Sequence, residues 1–305
     1  MDIVDRYKFR MKPYGHQSDA LRKSWEKKEF ALFAEMGTGK SKILIDTVAM
    51  LYDRGDIGGL LVVAPKGVYK NWETIELPKH LPEHIINDVI VWDPSVTKRN
   101  LEYLSEALAD DENLKILVMN VEAFSTDKGT AFATKFLRSR KVLMVVDEST
   151  TIKNGKAKRT KNLTKAGKHA THRRIMTGSP ITKTPMDLYS QCAFLDEWIL
   201  GYSSYYSFQG RYCRLMRRSV GAHSFNQVVG YQHLNELTDR LDTFAFRILK
   251  KDCLDLPEKV YTKRLVQLTD EQAGIYSRVK KAAMAELDGK VLTAQNVLTQ
   301  ILRLQ

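Results

Sequence analysis

The chain has 305 residues, 43% of them hydrophobic and 28% charged, the balance of a folded protein with one large or two modest cores rather than a disordered chain. Its net charge of +12 favours a polyanionic partner. No apolar run approaches the roughly 20 residues of a membrane span, and residues 1–12 lack the apolar core of a secretory signal, so a cytoplasmic address is expected, or a nuclear one in a eukaryote.

Short apolar, β-branched runs predict strands at Phe30–Ala34, Leu60–Ala64, Val89–Trp92, Ile116–Met119, Val142–Val146 and Arg174–Thr177. The runs around Val62 and Val145 do not alternate, as expected of strands covered on both faces. Helical spacing marks Lys40–Tyr52, Leu101–Leu108 and Phe132–Arg138. Alternating strands and helices predict an α/β fold, a parallel sheet with helices on both faces and ligands at the carboxyl ends of the strands. After Pro185 the texture becomes aromatic and helical, with no strand evident from Met186 to Lys251. Asp255–Lys259 reads as a linker, Val260–Leu268 as a strand, and Asp270–Leu287 as a helix capped by Thr269. The expected division is therefore 1–185, 186–254 and 255–305. The last residues, Ile301–Gln305, still follow an apolar helical pattern, so the third part is expected to be the start of a longer domain.

Ala34-Glu35-Met36-Gly37-Thr38-Gly39-Lys40-Ser41 follows a predicted strand and opens a predicted helix. That is the setting of a phosphate loop: the glycines let backbone N–H groups turn toward phosphate oxygens, and the helix N-terminus adds partial positive charge. Lys40 would reach the β- and γ-phosphates and Ser41 would ligate magnesium. The generic motif has glycine where this chain has Ala34. The pair Asp147-Glu148 ends an apolar strand about 100 residues later. Asp147 there can hold Mg2+ and Glu148 can deprotonate the attacking water, which predicts a magnesium-dependent NTP hydrolase. Thr177-Gly178-Ser179-Pro180 follows another strand and is, taken alone, plain turn chemistry.

The order of these segments resembles the superfamily-two helicase-like ATPases, and among them the Swi/Snf-type translocases on double-stranded DNA. Pro13-Tyr14-Gly15-His16-Gln17 is similar to the segment that this family places before its phosphate loop, which implies that Gln17 reads the adenine edge. The loop from Ala34 to Ser41 matches motif I, whose family form begins with alanine; Met36, Gly37, Thr38 and Gly39 would line the ATP phosphates. Val63-Ala64-Pro65-Lys66 with Asn71-Trp72 resembles motif Ia, which places Pro65 and Lys66 on the nucleic-acid backbone. Asn120-Val121-Glu122 is similar to motif Ib, and Asp147-Glu148-Ser149-Thr150 occupies motif II. Thr177–Pro180 resembles motif III, so Thr177 and Ser179 would link ATP to the DNA track. Arg247–Asp252 with Leu256-Pro257-Glu258-Lys259 resembles the passage between the two motor lobes. Motif II usually ends in histidine where this chain has Thr150, so coupling through that position is expected to differ. The resemblance implies a RecA-like lobe with a helical protrusion and the beginning of a second lobe. The family draws an arginine finger from that second lobe, so this chain alone is expected to turn over ATP slowly. The rival readings are a strand-separating helicase on DNA or RNA, and an ATP-binding module that does not hydrolyse.

From Thr150 to Met186 there are ten Lys or Arg and no Asp or Glu. This run, Lys153, Lys156, Lys158 and Arg159 included, is either a solvated face or a sequence-tolerant contact to DNA phosphates. Arg211, Arg214, Arg217 and Arg218 form a second basic cluster. Trp72 and Trp92 read as packing residues, and the aromatics from Tyr202 to Tyr212 as the core of the helical appendage. Cys192, Cys213 and Cys253 have no ligand spacing and read as buried thiols, while His169, His172, His223 and His233 read as surface residues. A monomer is expected.

Overall fold

Six of the predicted strands form and share one parallel sheet. The computed structural model describes residues 2–93, 105, 108–109, 112–220, 223–253, 262–264 and 267–287. The strands are β1 (Glu29–Ala34), β2 (Gly59–Ala64), β3 (Asn87–Val91), β4 (Leu114–Asn120), β5 (Val142–Asp147) and β6 (His172–Met176). Two more, β7 (Cys213–Val220) and β8 (His223–Tyr231), form a separate antiparallel hairpin, and β9 (Ala245–Ile248) joins the main sheet. Its order is β3-β4-β2-β5-β6-β1-β9, with every pairing parallel. All carboxyl ends therefore lie along one edge.

Alternate strand residues go to opposite faces. Phe30, Leu32, Leu60, Val62, Leu143 and Val145 enter one core cluster, with helices α1 (Gly15–Ser24) and α2 (Lys40–Asp53). Ala31, Phe33, Leu61, Val63, Met144 and Val146 enter the other. There they meet α3 (Asp127–Ser139), α4 (Lys158–Gly167), α5 (Asp187–Leu195), α6 (Tyr205–Tyr212) and α7 (Leu234–Phe244). Both faces are dry, which is why these strands read as unbroken apolar runs.

The expectation of a purely helical stretch from Met186 to Lys251 is corrected. The β7–β8 hairpin occupies its middle, and β9 extends the main sheet beyond β1, pairing Ala31 with Ala245 and Ala34 with Ile248. The aromatic expectation nearby holds in part: Phe208 and Tyr212 are fully buried and stack edge to face or tilted with Tyr202, whereas Tyr205 and Tyr206 are exposed. The chain divides into two units, Met1–Leu256 and Pro257–Gln305. In the second, α8 (Asp270–Leu287) forms as expected, while Thr262–Arg264 and Gln267–Leu268 are not in a strand. The rest of that expected strand, residues Ile301–Gln305, and all but Ser105 and Leu108 of the expected helix Leu101–Leu108 lie outside the described residues. No helix among the described residues is long and apolar enough to cross a membrane.

The basic run is less one-sided in space than along the chain. Arg173 pairs with Glu29 at 3.0 Å, Lys158 with Asp127 at 3.0 Å and Lys168 with Glu197 at 2.6 Å. Arg174 is no surface residue: it is 1% exposed, and burial pulls its pKa down to about 9. Its guanidinium donates to the carbonyls of Ser24, Lys27, Lys28 and Arg173, tying the end of α1 and the turn before β1 to β6. Arg174→Met is expected to strand those carbonyls and cost about 3 kcal/mol of unfolding free energy, measured by urea denaturation; an unchanged midpoint would contradict that anchoring role. His172, expected at the surface, is buried as well, and burial lowers its pKa to about 4. Cys192 and Cys213 are buried and Cys253 is partly so.

Candidate nucleotide site

The loop between β1 and α2 carries two glycines in the left-handed region, Gly37 (φ 84°) and Gly39 (φ 87°). A side chain at either would strain the backbone. Gly39 also lies so close to Gln17 that a Cβ would fall 2.2 Å from Gln17 Nε2. Gln17 is buried; its Nε2 donates to Thr38 O at 3.2 Å, and its Oε1 accepts from Tyr14 N at 3.0 Å. His16 Nε2 also meets Thr38 O, at 3.0 Å. The segment before the loop thus holds the loop from beneath. Thr38 is buried and closes the turn, its hydroxyl donating to Glu35 O at 2.8 Å. Met36 is exposed at the tip, and Lys40 and Ser41 open α2.

At the end of β5, Asp147 and Glu148 diverge. Glu148 has φ 49°, ψ 62°, a left-handed conformation costing a non-glycine residue about 1 kcal/mol or more. That turn brings Glu148 Oε1 to 3.8 Å from Lys40 Nζ and lets Oε2 accept from Thr177 Oγ1 at 3.0 Å. Asp147 accepts from Trp72 Nε1 at 3.1 Å and from Glu148 N at 3.0 Å. Burial raises the Asp147 pKa to about 6 against the opposing bond from Trp72. A cation beside it would favour the charged form again.

Three segments distant in sequence therefore converge: the loop after β1, the turn after β5 and Thr177 after β6. Thr177 is buried and also accepts from Ser179 N at 3.2 Å, while Ser179 is exposed. Thr150 makes no side-chain hydrogen bond among the described residues. The turn after β5 reaches Pro180 through Ser149 Oγ, which donates to Gln191 Oε1 at 2.7 Å, and Gln191 Nε2, which donates to Pro180 O at 2.8 Å. Trp72 and Gln191 were missed as site residues. Trp72 stands beside Asn71 in motif Ia, which was the available hint; Gln191 left no signal in the sequence.

The other residues expected to face nucleic acid lie on the same carboxyl edge or just beyond it. Pro65 and Lys66 follow β2, with Lys66 exposed. Lys153 donates to Thr182 Oγ1, and Arg159 donates to Thr151 O at 3.2 Å and sits 4.0 Å from Glu122. Lys156 and Lys158 are exposed, and Lys156 has no ion pair among the described residues.

A parallel sheet, a glycine-rich loop opening a helix after β1, and an acidic pair ending β5, one strand removed from β1, define a P-loop nucleotide-binding domain. The family follows from comparison: the model of the SNF2-related domain matches residues 17–305, and the chain belongs to that family. It is 26% identical over 264 residues to the chromatin-remodeling ATPase INO80 of Saccharomyces cerevisiae, a match covering 83% of this chain and 16% of that protein. It is 25% identical over 260 residues to the SWI/SNF chromatin-remodeling complex subunit snf22 of Schizosaccharomyces pombe, covering 84% and 15%. The chain thus spans about a sixth of the length of these curated relatives. Among solved structures, the Sulfolobus solfataricus SWI2/SNF2 ATPase core in complex with dsDNA covers all of this chain and 60% of its own, at TM-score 0.62 and 21% identity, and so shares its fold.

Proposed function

We propose that this chain is the ATP-binding motor lobe of a DNA-dependent ATPase that moves along double-stranded DNA. The observation that carries the reading is the meeting of Lys40, Glu148 and Thr177, because it joins a phosphate-binding lysine, a general base and a hydroxyl from the segment resembling motif III in one short chain of contacts. Relatives named as chromatin-remodeling ATPases, and a neighbour of the same fold whose structure holds dsDNA, support the same assignment.

In this reading Lys40 and the N–H groups of Gly37–Ser41 hold the ATP polyphosphate. Glu148 takes a proton from water as the water oxygen attacks the γ-phosphorus and ADP leaves. Thr177, bonded to Glu148, fixes that carboxylate, and Ser179 continues the link toward the DNA side. Ser41 and Asp147 are the residues that would hold Mg2+. No group of three His, Cys, Asp or Glu that could hold a metal occurs among the described residues. One hydroxyl and one carboxylate suit a hard cation that keeps waters and shares substrate phosphates. When bound, magnesium neutralises phosphate charge.

DNA would lie along the carboxyl edge, on Pro65, Lys66, Lys153, Lys156, Lys158 and Arg159, through backbone contacts that ignore sequence. Affinity for a random-sequence duplex is then expected to fall linearly on a log–log plot against salt, by about 0.9 per phosphate contact. Fluorescence anisotropy across a salt series tests this: a flat response would sink the phosphate contacts to DNA, and a strong preference for one sequence would sink their indifference to sequence.

A further inference from the structure

Two lysines stand at the loop after β1, Lys40 and Lys250, and the fold brings the second from the far end of the lobe. Residues Ala34 and Ile248 are partners in the β1–β9 pairing, and the two strands leave the sheet side by side. Beyond that point the loop and the segment after β9 grip each other through the main chain: Glu35 N donates to Ile248 O at 3.0 Å, and Lys250 N donates to Glu35 Oε2 at 2.6 Å. The Lys250 side chain then turns back over the loop. A Cβ built on Gly37 would fall 3.5 Å from Lys250 Cε and 3.7 Å from its Nζ. Lys40 has Glu148 beside it, whereas Lys250 Nζ has no ion-pair or hydrogen-bond partner among the described residues. Lys250 is partly buried, and an ammonium beside a glycine of a phosphate loop, with no counter-ion among the described residues, is a cation placed to meet an anion.

We infer that Lys250 is a nucleotide-binding residue whose ammonium pairs with the polyphosphate of bound ATP or ADP from the side opposite the sheet core. This rests on the phosphate-loop reading of residues 34–41 and adds a contact to it from a segment 210 residues away in sequence. The left-handed backbone alone demands glycine at 37; a Cβ there would meet Lys250 only at ordinary van der Waals distance. Because β9 and Lys250 leave the sheet together, nucleotide in the loop fastens the strand that ends this lobe.

The test uses Lys250→Met, which keeps the aliphatic stem and leaves the main-chain clamp to Glu35 untouched, and Lys250→Arg. Calorimetric titrations of the 305-residue chain with magnesium and either ADP or ATPγS are expected to show affinity about tenfold weaker in K250M, the loss of one charge-assisted contact. K250R should recover most of it. The salt dependence of ATPγS binding should become shallower in K250M, since one charge contact is gone. A merely structural lysine would instead lower the unfolding temperature without nucleotide and leave that salt dependence alone. Equal or tighter nucleotide binding by K250M overturns the inference while leaving the phosphate-loop reading intact. Failure of the unmutated chain to bind either nucleotide overturns both.

Discussion

Lys40→Ala is expected to raise the dissociation constant for ATP by roughly a hundredfold or more, the loss of a buried charge-assisted contact worth about 3 kcal/mol. The Lys40 side chain is 10% exposed and points from the first turn of α2 toward Glu148, so little solvent competes for it. Removing it takes a cation from the phosphates and leaves the Glu148 carboxylate with Thr177 Oγ1 as its one side-chain partner among the described residues. The fold should survive, because the aliphatic core of α2, from Ile43 to Leu51, is untouched. Titration with ATPγS beside a thermal melt separates the two effects: lost binding with an unchanged melt is expected. Retained binding would show that the phosphates sit elsewhere.

Glu148→Gln should give the complementary result. Glutamine keeps an oxygen for Thr177 to donate to and nearly the same shape, but it cannot take a proton from water. Single-turnover hydrolysis is expected to fall about 10²–10⁴-fold, while ATP binding persists. The pair of variants is diagnostic in combination: one loses binding, the other keeps binding and loses chemistry. Measurable hydrolysis unchanged in E148Q would remove Glu148 from the role of base, and no hydrolysis by either form would favour a module that binds ATP without cleaving it.

Much of this lobe was legible in the sequence because its signals are local. Strands β1, β2, β4 and β5 are buried on both faces, so Phe30–Ala34 or Val142–Val146 announce themselves as apolar runs. The glycines at 37 and 39 mark the loop because left-handed backbone admits few other residues. The elements that escaped notice carry no such signal. Strand β9 is only four residues, one of them Arg247, and takes its strand form from pairing with β1 rather than from its own composition. The β7–β8 hairpin mixes three arginines with apolar residues and lacks an Asn-Gly or Asp-Gly turn, so it read as more helix.

The site divides along the same line. Lys40, Ser41, Asp147 and Glu148 stand in short motifs. Trp72, Gln191 and Lys250 reach their partners across 75, 42 and 215 residues, distances that only the folded sheet closes. The basic run is less one-sided in space than in sequence for the same reason. Its neutralising carboxylates, Glu29, Asp127 and Glu197, lie on other elements, and the most basic-looking pair, Arg173-Arg174, turned out to fasten the sheet.

The measurement that bears most directly on the account is calorimetric titration of the chain with Mg·ATPγS, with and without a random-sequence DNA duplex. Saturable binding of one nucleotide per chain is expected, requiring Lys40 and tightening when duplex is present if the two sites are positively coupled, a coupling that must then act reciprocally. Absence of saturable binding, or binding that Lys40→Ala leaves intact, would contradict it.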